Sequence, residues 1–205
     1  LPKDVKYCRK CVISNQRPNS SVEFKNTIDS KKNTINFDDK GICDACNFAF
    51  KKNNLIDWSE REKKLIELCD KFRKNDGSYD CIVPGSGGKD SFYASHILKN
   101  KYNMNPLTVT WPPILYTNYG YKNFQNWLKK GNLKNISARR NEEIMRFLTK
   151  ESIINLLHPF QTFMIGQKYF PIKIAMRYKI PLVFYGENEA EYGNPISENY
   201  NSLRD

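Results

Sequence analysis

Residues 79–91 read Tyr79-Asp80-Cys81-Ile82-Val83-Pro84-Gly85-Ser86-Gly87-Gly88-Lys89-Asp90-Ser91, and this stretch decides the fold. The apolar run Cys81-Ile82-Val83 suits a short buried strand, and it stops at Pro84-Gly85. After the loop comes the helical pattern Phe92, Ala94, Ser95, Ile97, Leu98. Strand, glycine loop and helix together build an anion site. Glycine lets the backbone turn tightly and puts no side chain between the N–H groups and a ligand. The first helical turn adds unpaired N–H groups and the positive end of its dipole, so phosphate is the natural guest.

Outward from this loop the chain alternates. Ser59 and Glu62 form a capping box before the apolar stripe Leu65, Ile66, Leu68, Cys69, Phe72, and Asn75-Asp76-Gly77 ends that helix. The first core strand is expected at 79–83 and the loop-helix at 85–99. Residues 106–111 read as a second strand, broken by Pro112-Pro113. Helices are expected at 121–130, 142–157 and 160–179. Leu182-Val183-Phe184-Tyr185 reads as a buried strand running into Gly186-Glu187-Asn188. Strands separated by helices predict an α/β fold, a parallel sheet with helices on both faces. Ligands of such sheets bind beyond the carboxyl ends of the strands. That edge would collect residues 86–91, 111–120 and 186–193.

The cysteines mark a second unit. Cys8 and Cys11 form one Cys-x-x-Cys, Cys43 and Cys46 another, with 31 residues between the pairs. Two residues between thiolates let one tight turn present both to a single ion, and two such turns complete a tetrahedral four-cysteine Zn²⁺ site. A redox pair or four unrelated thiols are the plainer alternatives. Thr34-Ile35-Asn36-Phe37 followed by Asp39-Lys40-Gly41 reads as strand and turn leading into the second knuckle. Four protein ligands leave no open position, so the metal would fold a segment too small to hold itself. Residues 1–57 are therefore expected to be a zinc-knuckle segment and 58–205 the nucleotide domain. Cys69 and Cys81 read as inert core thiols.

The 205 residues carry 33 Lys and Arg against 22 Asp and Glu, a net charge of +11. The lysines are scattered in doublets, and the charge suits a biased composition or an anionic substrate as well as RNA. No run approaches the ~18 to 20 apolar residues of a membrane helix, and Leu1-Pro2-Lys3-Asp4 is no signal peptide. A soluble, cytoplasmic protein is expected.

Ser86 to Ser91 fits neither the Walker pattern nor Gly-x-Gly-x-x-Gly. Ser-Gly-Gly-Lys-Asp-Ser resembles instead the pyrophosphate loop of the PP-loop ATP pyrophosphatases, which have the adenine nucleotide alpha hydrolase-like fold. An ordinary glycine-rich βα turn is the bland alternative. Three further stretches narrow the likeness. They are Val109-Thr110-Trp111-Pro112-Pro113 with Tyr116-Thr117-Asn118, Gly120 and residues 122–127; Pro159-Phe160-Gln161 with Gly166-Gln167-Lys168; and residues 180–188 with Ala190-Glu191-Tyr192-Gly193. Together they resemble the bacterial N-acetyl sugar amidotransferases of surface-polysaccharide and pseudaminic or legionaminic acid pathways. The likeness spans about residues 7–193 and is weakest across 131–150. Members of that family extend further, so part of the sugar site would lie outside these residues.

The resemblance implies an enzyme that turns a sugar acetamido group into an acetamidino group using ATP, Mg²⁺ and ammonia, with release of AMP and pyrophosphate. It implies that Ser86, Gly87, Gly88, Lys89, Asp90 and Ser91 hold the nucleotide phosphates. Lys89 would pair with phosphate charge or point to solvent. Asp90 would help hold Mg²⁺ or cap the helix. Glu187, expected to be catalytic, and Asn188 would contact metal or substrate, with Glu191 and Tyr192 weaker candidates. Trp111 would wall the adenine or belong to the core. Asn118, Asn123 and Gln167 would read sugar hydroxyls or serve structure. His96 and His158 are poor catalytic candidates. Ammonia would come from a separate glutaminase with a cyclase-like companion, and the N-acetyl sugar would be free or nucleotide-linked. A PP-loop tRNA-modifying enzyme, a thiolase or lysidine-type synthetase, is the first rival. A zinc-knuckle binding module without catalysis is the second.

Overall fold

The computed structural model describes residues 2–18, 29 and 33–186. These fall into two compact units, one ending at Arg61 and the other beginning at Glu62.

The first unit is built on two turns and a helix. Tyr7 bridges Ser14, and Phe37 bridges Cys43 across a turn at Asp38–Gly41. Asp38 fixes that turn by accepting from Lys40 N and Ile42 N. Gly41 sits at φ +75°, a conformation that costs glycine nothing. Helix α1 (Asp44–Asn54) starts at Cys43 and has no buried residue. Its acidic start at Asp44 and basic end at Lys51 and Lys52 complement its dipole. The core here is small: Cys8, Ile35 and Cys43, with Ile13, Phe37, Ile42 and Cys46 around them.

From Trp58 onward the architecture is α/β. The elements are α2 (Trp58–Phe72), β1 (Cys81–Pro84), α3 (Lys89–Asn100), β2 (Pro106–Thr110), α4 (Asn118–Gly131), β3 (Lys134–Ser137), α5 (Glu142–Leu156) and α6 (Gln161–Tyr178). β1, β2 and β3 form a parallel sheet in that order, with Ile82 opposite Leu107 and Val109 opposite Ile136. Alternate residues of β1 face opposite sides. Cys81 and Val83 pack with Cys69, Leu98, Tyr102 and Met104 beneath α2 and α3. Ile82 packs with Leu107, Val109, Ile174, Ala175 and Ile180 beneath α6. Helices therefore cover both faces, and β1 is wholly buried. Trp127 of α4 is also fully buried, and its indole N–H donates to Ser95 Oγ of α3 at 2.8 Å.

Two expectations are corrected. The turn into α2 is capped by Asp57, whose carboxylate accepts from Glu60 N at 3.0 Å. The Ser59–Glu62 box does not form. Glu62 instead pairs with Lys101 and accepts from the Tyr102 hydroxyl, and those hydrogen bonds, Lys101 first, hold its carboxyl below the usual range. Residues 182–185 do not form a buried strand. Val183 makes one parallel bridge to Ile82, through Ile82 N to Leu182 O and Phe184 N to Ile82 O. Residues 182–184 are half-buried because, among the described residues, they lie at the sheet edge beyond β1. β3 and α1 arise where no expected element lies. No described helix is long and apolar enough to cross a membrane.

Candidate functional site

The carboxyl end of β1 runs directly into the glycine loop. Gly85 N still belongs to the ladder, donating to Val109 O at 3.0 Å. A side chain at Gly85 would overlap Ser91 and touch Trp127. Gly87 turns at φ +87°, and a Cβ there would lie 2.6 Å from Phe124 Cα and 2.8 Å from Phe124 N of α4. Gly88 is the N-cap of α3, and a Cβ added to it would meet nothing within 4 Å. The loop is thus pressed against α4 on one side and open to solvent on the other.

Among the described residues, no acceptor is found for any main-chain N–H from Ser86 to Ser91. Six donors without a partner among the described residues, around a left-handed glycine at the start of a 12-residue helix, are a cluster of positive partial charge. Two carbonyls of the loop, those of Gly85 and Gly88, are occupied. Thr110 Oγ1 donates to Gly85 O at 2.7 Å, and Ser91 Oγ donates to Gly88 O at 3.1 Å. The buried Ser91 therefore spends its hydroxyl proton inside the loop and offers an anion its main-chain N–H. Ser86 is exposed. The Lys89 ammonium is 92% exposed and 4.0 Å from Asp90. Asp90 is the second residue of α3, not its cap, so its carboxylate remains open to solvent at the mouth of the loop. The backbone of Asp90 and Ser91 abuts Gly186, which brings the end of the edge segment beside α3.

The remaining candidates separate. Asn123 lies on α4 with its backbone close to Gly87, and Asn118 is the first residue of that helix, both exposed. Trp111 follows β2 and packs under Gly166, where any Cβ would overlap the indole, with its ring centroid 5.9 Å from that of Phe170. It is part of the α6 packing, although its buried Nε1 has no partner among the described residues. Gln167 is the neighbour of Gly166 on α6 and half-buried. Glu187, Asn188, Glu191 and Tyr192 lie outside the described residues. His96 is exposed and bonds Asn100, and the His158 ring stands edge-on to Phe160. A cavity of about 220 Å³ between α3 and α4, lined by Phe92, His96, Lys99 and Trp127 among others, flanks α3 away from the loop mouth.

In the first unit, Cys8, Cys11, Cys43 and Cys46 place their sulfurs within 4.8 Å of one another. Cys8 and Cys46 are 4.0 Å apart, and Cys11 and Cys43 are 3.6 Å apart. These values bracket the ~3.8 Å edge of a tetrahedron with Zn–S bonds of ~2.3 Å. Lys10 N and Cys43 N both point at Cys8 Sγ at 3.3 Å. Burial raises the Cys8 thiol, but main-chain N–H groups of Cys11, Cys43 and Lys10 bring it down to about 6. Cys46 is pushed up to about 12, first by its hydrogen bond to Cys11 and then by burial. Four sulfurs this close cannot all ionise alone, and a divalent cation would replace their protons. The donor set fits a four-thiolate metal site.

The α/β fold is shared with a solved structure, NH3-dependent NAD synthetase from Campylobacter jejuni in complex with the nitrate ion, which matches with a TM-score of 0.50 at 18% identity. The match covers 66% of this chain and 59% of that one. A 78-residue stretch is 37% identical to an uncharacterized protein of Methanocaldococcus jannaschii, 38% of this chain and 27% of that protein's length. No family model matches the chain.

Proposed function

We propose that this protein is an ATP-dependent, AMP-forming amidotransferase that converts the N-acetyl group of a sugar to an acetamidino group. The observation that carries the proposal is the set of N–H groups from Ser86 to Ser91, unpartnered among the described residues, at the carboxyl end of a parallel sheet. Such a cluster suits the β- and γ-phosphates of ATP and leaves the α-phosphorus toward an acceptor. The amide oxygen of the acceptor attacks the α-phosphorus, and pyrophosphate leaves. Ammonia adds to the activated carbon, AMP departs with the former amide oxygen, and loss of a proton leaves the amidine. Positioning and fixed dipoles do most of this work.

Lys89, close to the loop and free to swing, would meet phosphate charge. Asp90, with Glu187, would hold the Mg²⁺ that neutralises the phosphates. Asn118, Asn123, Gln167, Asn188 and Glu191 are the groups assigned to the sugar, and Trp111 to the wall of the nucleotide site. The four cysteines would hold Zn²⁺ as a structural ion. Ammonia would be delivered by a separate glutaminase with a cyclase-like companion. ATP supply and persistent thiols favour the cytoplasm.

Asp90→Ala is expected to lower turnover by at least about 100-fold, with Tm close to wild type because, among the described residues, the carboxylate is held only by a 4.0 Å ion pair with the exposed Lys89. Near-normal activity would remove Asp90 from the metal site. The reaction itself is tested by mass spectrometry of acetamido sugars incubated with ATP, Mg²⁺ and ammonium. The product should be lighter by about one mass unit, the exchange of O for NH.

The net charge of +11 keeps a tRNA substrate as the second reading. Cys69 and Cys81 are wholly buried, and burial pushes the Cys81 thiol up to about 12, so neither is placed to carry sulfur as a thiolase needs. A lysidine-type reaction needs no such thiol. Filter binding of tRNA at two salt concentrations separates them, since steeply salt-dependent, tight binding would favour RNA.

A further inference from the structure

We infer that Thr110, at the end of β2 and tethered by Asn135 of β3, is the positioning residue that holds the glycine loop in its anion-receiving shape. The inference rests on the assignment of that loop to phosphate. Thr110 is fully buried. Its hydroxyl donates to Gly85 O at 2.7 Å, while Gly85 N donates to Val109 O. Both main-chain groups of Gly85 are therefore held by β2. In a planar trans peptide the C=O and the next N–H point in opposite directions. Pinning Gly85 O inward against Thr110 thus turns Ser86 N–H outward, into the open cup.

The tether is defined by donor and acceptor arithmetic. Thr108 Oγ1 donates to Lys134 O at 2.7 Å, and Thr110 Oγ1 donates to Gly85 O. Carbonyls only accept, so both hydroxyls have spent their protons and can only accept from Asn135. Asn135 meets this with its amide NH₂, which lies 2.9 Å from each hydroxyl oxygen. Its Oδ1 in turn accepts from Ser137 Oγ at 2.8 Å. The network has one consistent orientation, and it joins β3 to the phosphate loop through two side chains. At the far end of the loop Ser91 Oγ and Phe92 N hold Gly88 O in the same way, which turns Lys89 N–H outward. A hydroxyl thus fixes the peptide plane at each end of the cup.

The test is calorimetric titration of inorganic pyrophosphate into the full chain and its variants, well below their melting temperatures. Thr110→Val keeps the volume and removes the donor, and it should weaken pyrophosphate about tenfold. Thr110→Ser keeps the hydroxyl and should return affinity to within about twofold of wild type. A purely structural role would lower Tm in Thr110→Val without moving the affinity. Equal affinity in wild type and Thr110→Val overturns the inference while leaving the loop as the phosphate site, and so does a Thr110→Ser that binds as weakly as Thr110→Val. If Thr110→Val does not fold, Asn135→Ala, at a half-buried position, takes its place. It should weaken pyrophosphate several-fold, and unchanged affinity overturns the tether. A wild type that binds neither pyrophosphate nor ATP removes the phosphate assignment itself, and the inference with it.

Discussion

Gly87→Ala is expected to abolish nucleotide-dependent turnover. Two costs act together. The residue sits at φ +87°, where a side chain strains the backbone by about 1–2 kcal/mol. The new Cβ would also fall 2.6 Å from Phe124 Cα. That neighbour is helical main chain, which cannot swing aside as a lysine tip would. Either α4 shifts or the loop rotates Gly87 out of place, and rotation would scatter the N–H groups between Ser86 and Ser91. Overpacking of this kind adds roughly 1–3 kcal/mol, so Tm should drop by about 10 °C. The measurement is pyrophosphate release alongside differential scanning calorimetry. Activity within about threefold of wild type would show that the loop tolerates a side chain and does not grip phosphate as described. Gly88→Ala is the control: its Cβ would enter open space, so stability should hold.

Cys43→Ser is expected to empty the metal centre and unfold the first unit. Cys43 is fully buried, opens α1, and stands 3.6 Å from Cys11. The core here is slight, since besides the cysteines Ile35 is the only buried apolar side chain in the cluster among the described residues, with Ile13, Phe37 and Ile42 partly buried against it. Structural zinc in small domains contributes on the order of 10–16 kcal/mol, far more than such a core could replace. Zinc content should fall from about one per chain to near zero, and the segment up to Arg61 should become protease-sensitive. The second unit, whose two core clusters hold none of these ligands, should keep its own unfolding transition. Unchanged metal content would refute the four-cysteine centre.

Much of the fold was legible because its signals are local. β1, the turn at Gly85–Gly88 and the opening of α3 follow from one apolar run, a proline and three glycines. The paired cysteines likewise announce their cluster by spacing alone. β3 did not announce itself: Lys134-Asn135-Ile136-Ser137 carries a single apolar residue, and an edge strand needs no more. The Asp57 cap escapes the sequence because Ser59 and Glu62 mimic a box two residues too late, while tertiary pairing with Lys101 claims Glu62. The site shows the same division. The glycines and the acid proposed for it stand together in one local motif. The seat of Gly87 against Asn123 and Phe124, and the grip of Thr110 on Gly85, join residues brought together only by parallel strand pairing. A threonine in a β-strand is too ordinary a signal to single out. Trp111 was open between nucleotide wall and core, and its packing under Gly166 gives it a structural load whatever else it touches.

The most direct test follows the fate of ATP by phosphorus NMR, with Mg²⁺, ammonium and an acetamido sugar present. AMP and pyrophosphate should accumulate in equal amounts and only when the sugar is supplied, the outcome expected of the proposed role of the cup between Ser86 and Ser91 in holding the phosphates that leave. Accumulation of ADP and inorganic phosphate instead would mean that the γ-phosphate is the reacting group, and would contradict the account.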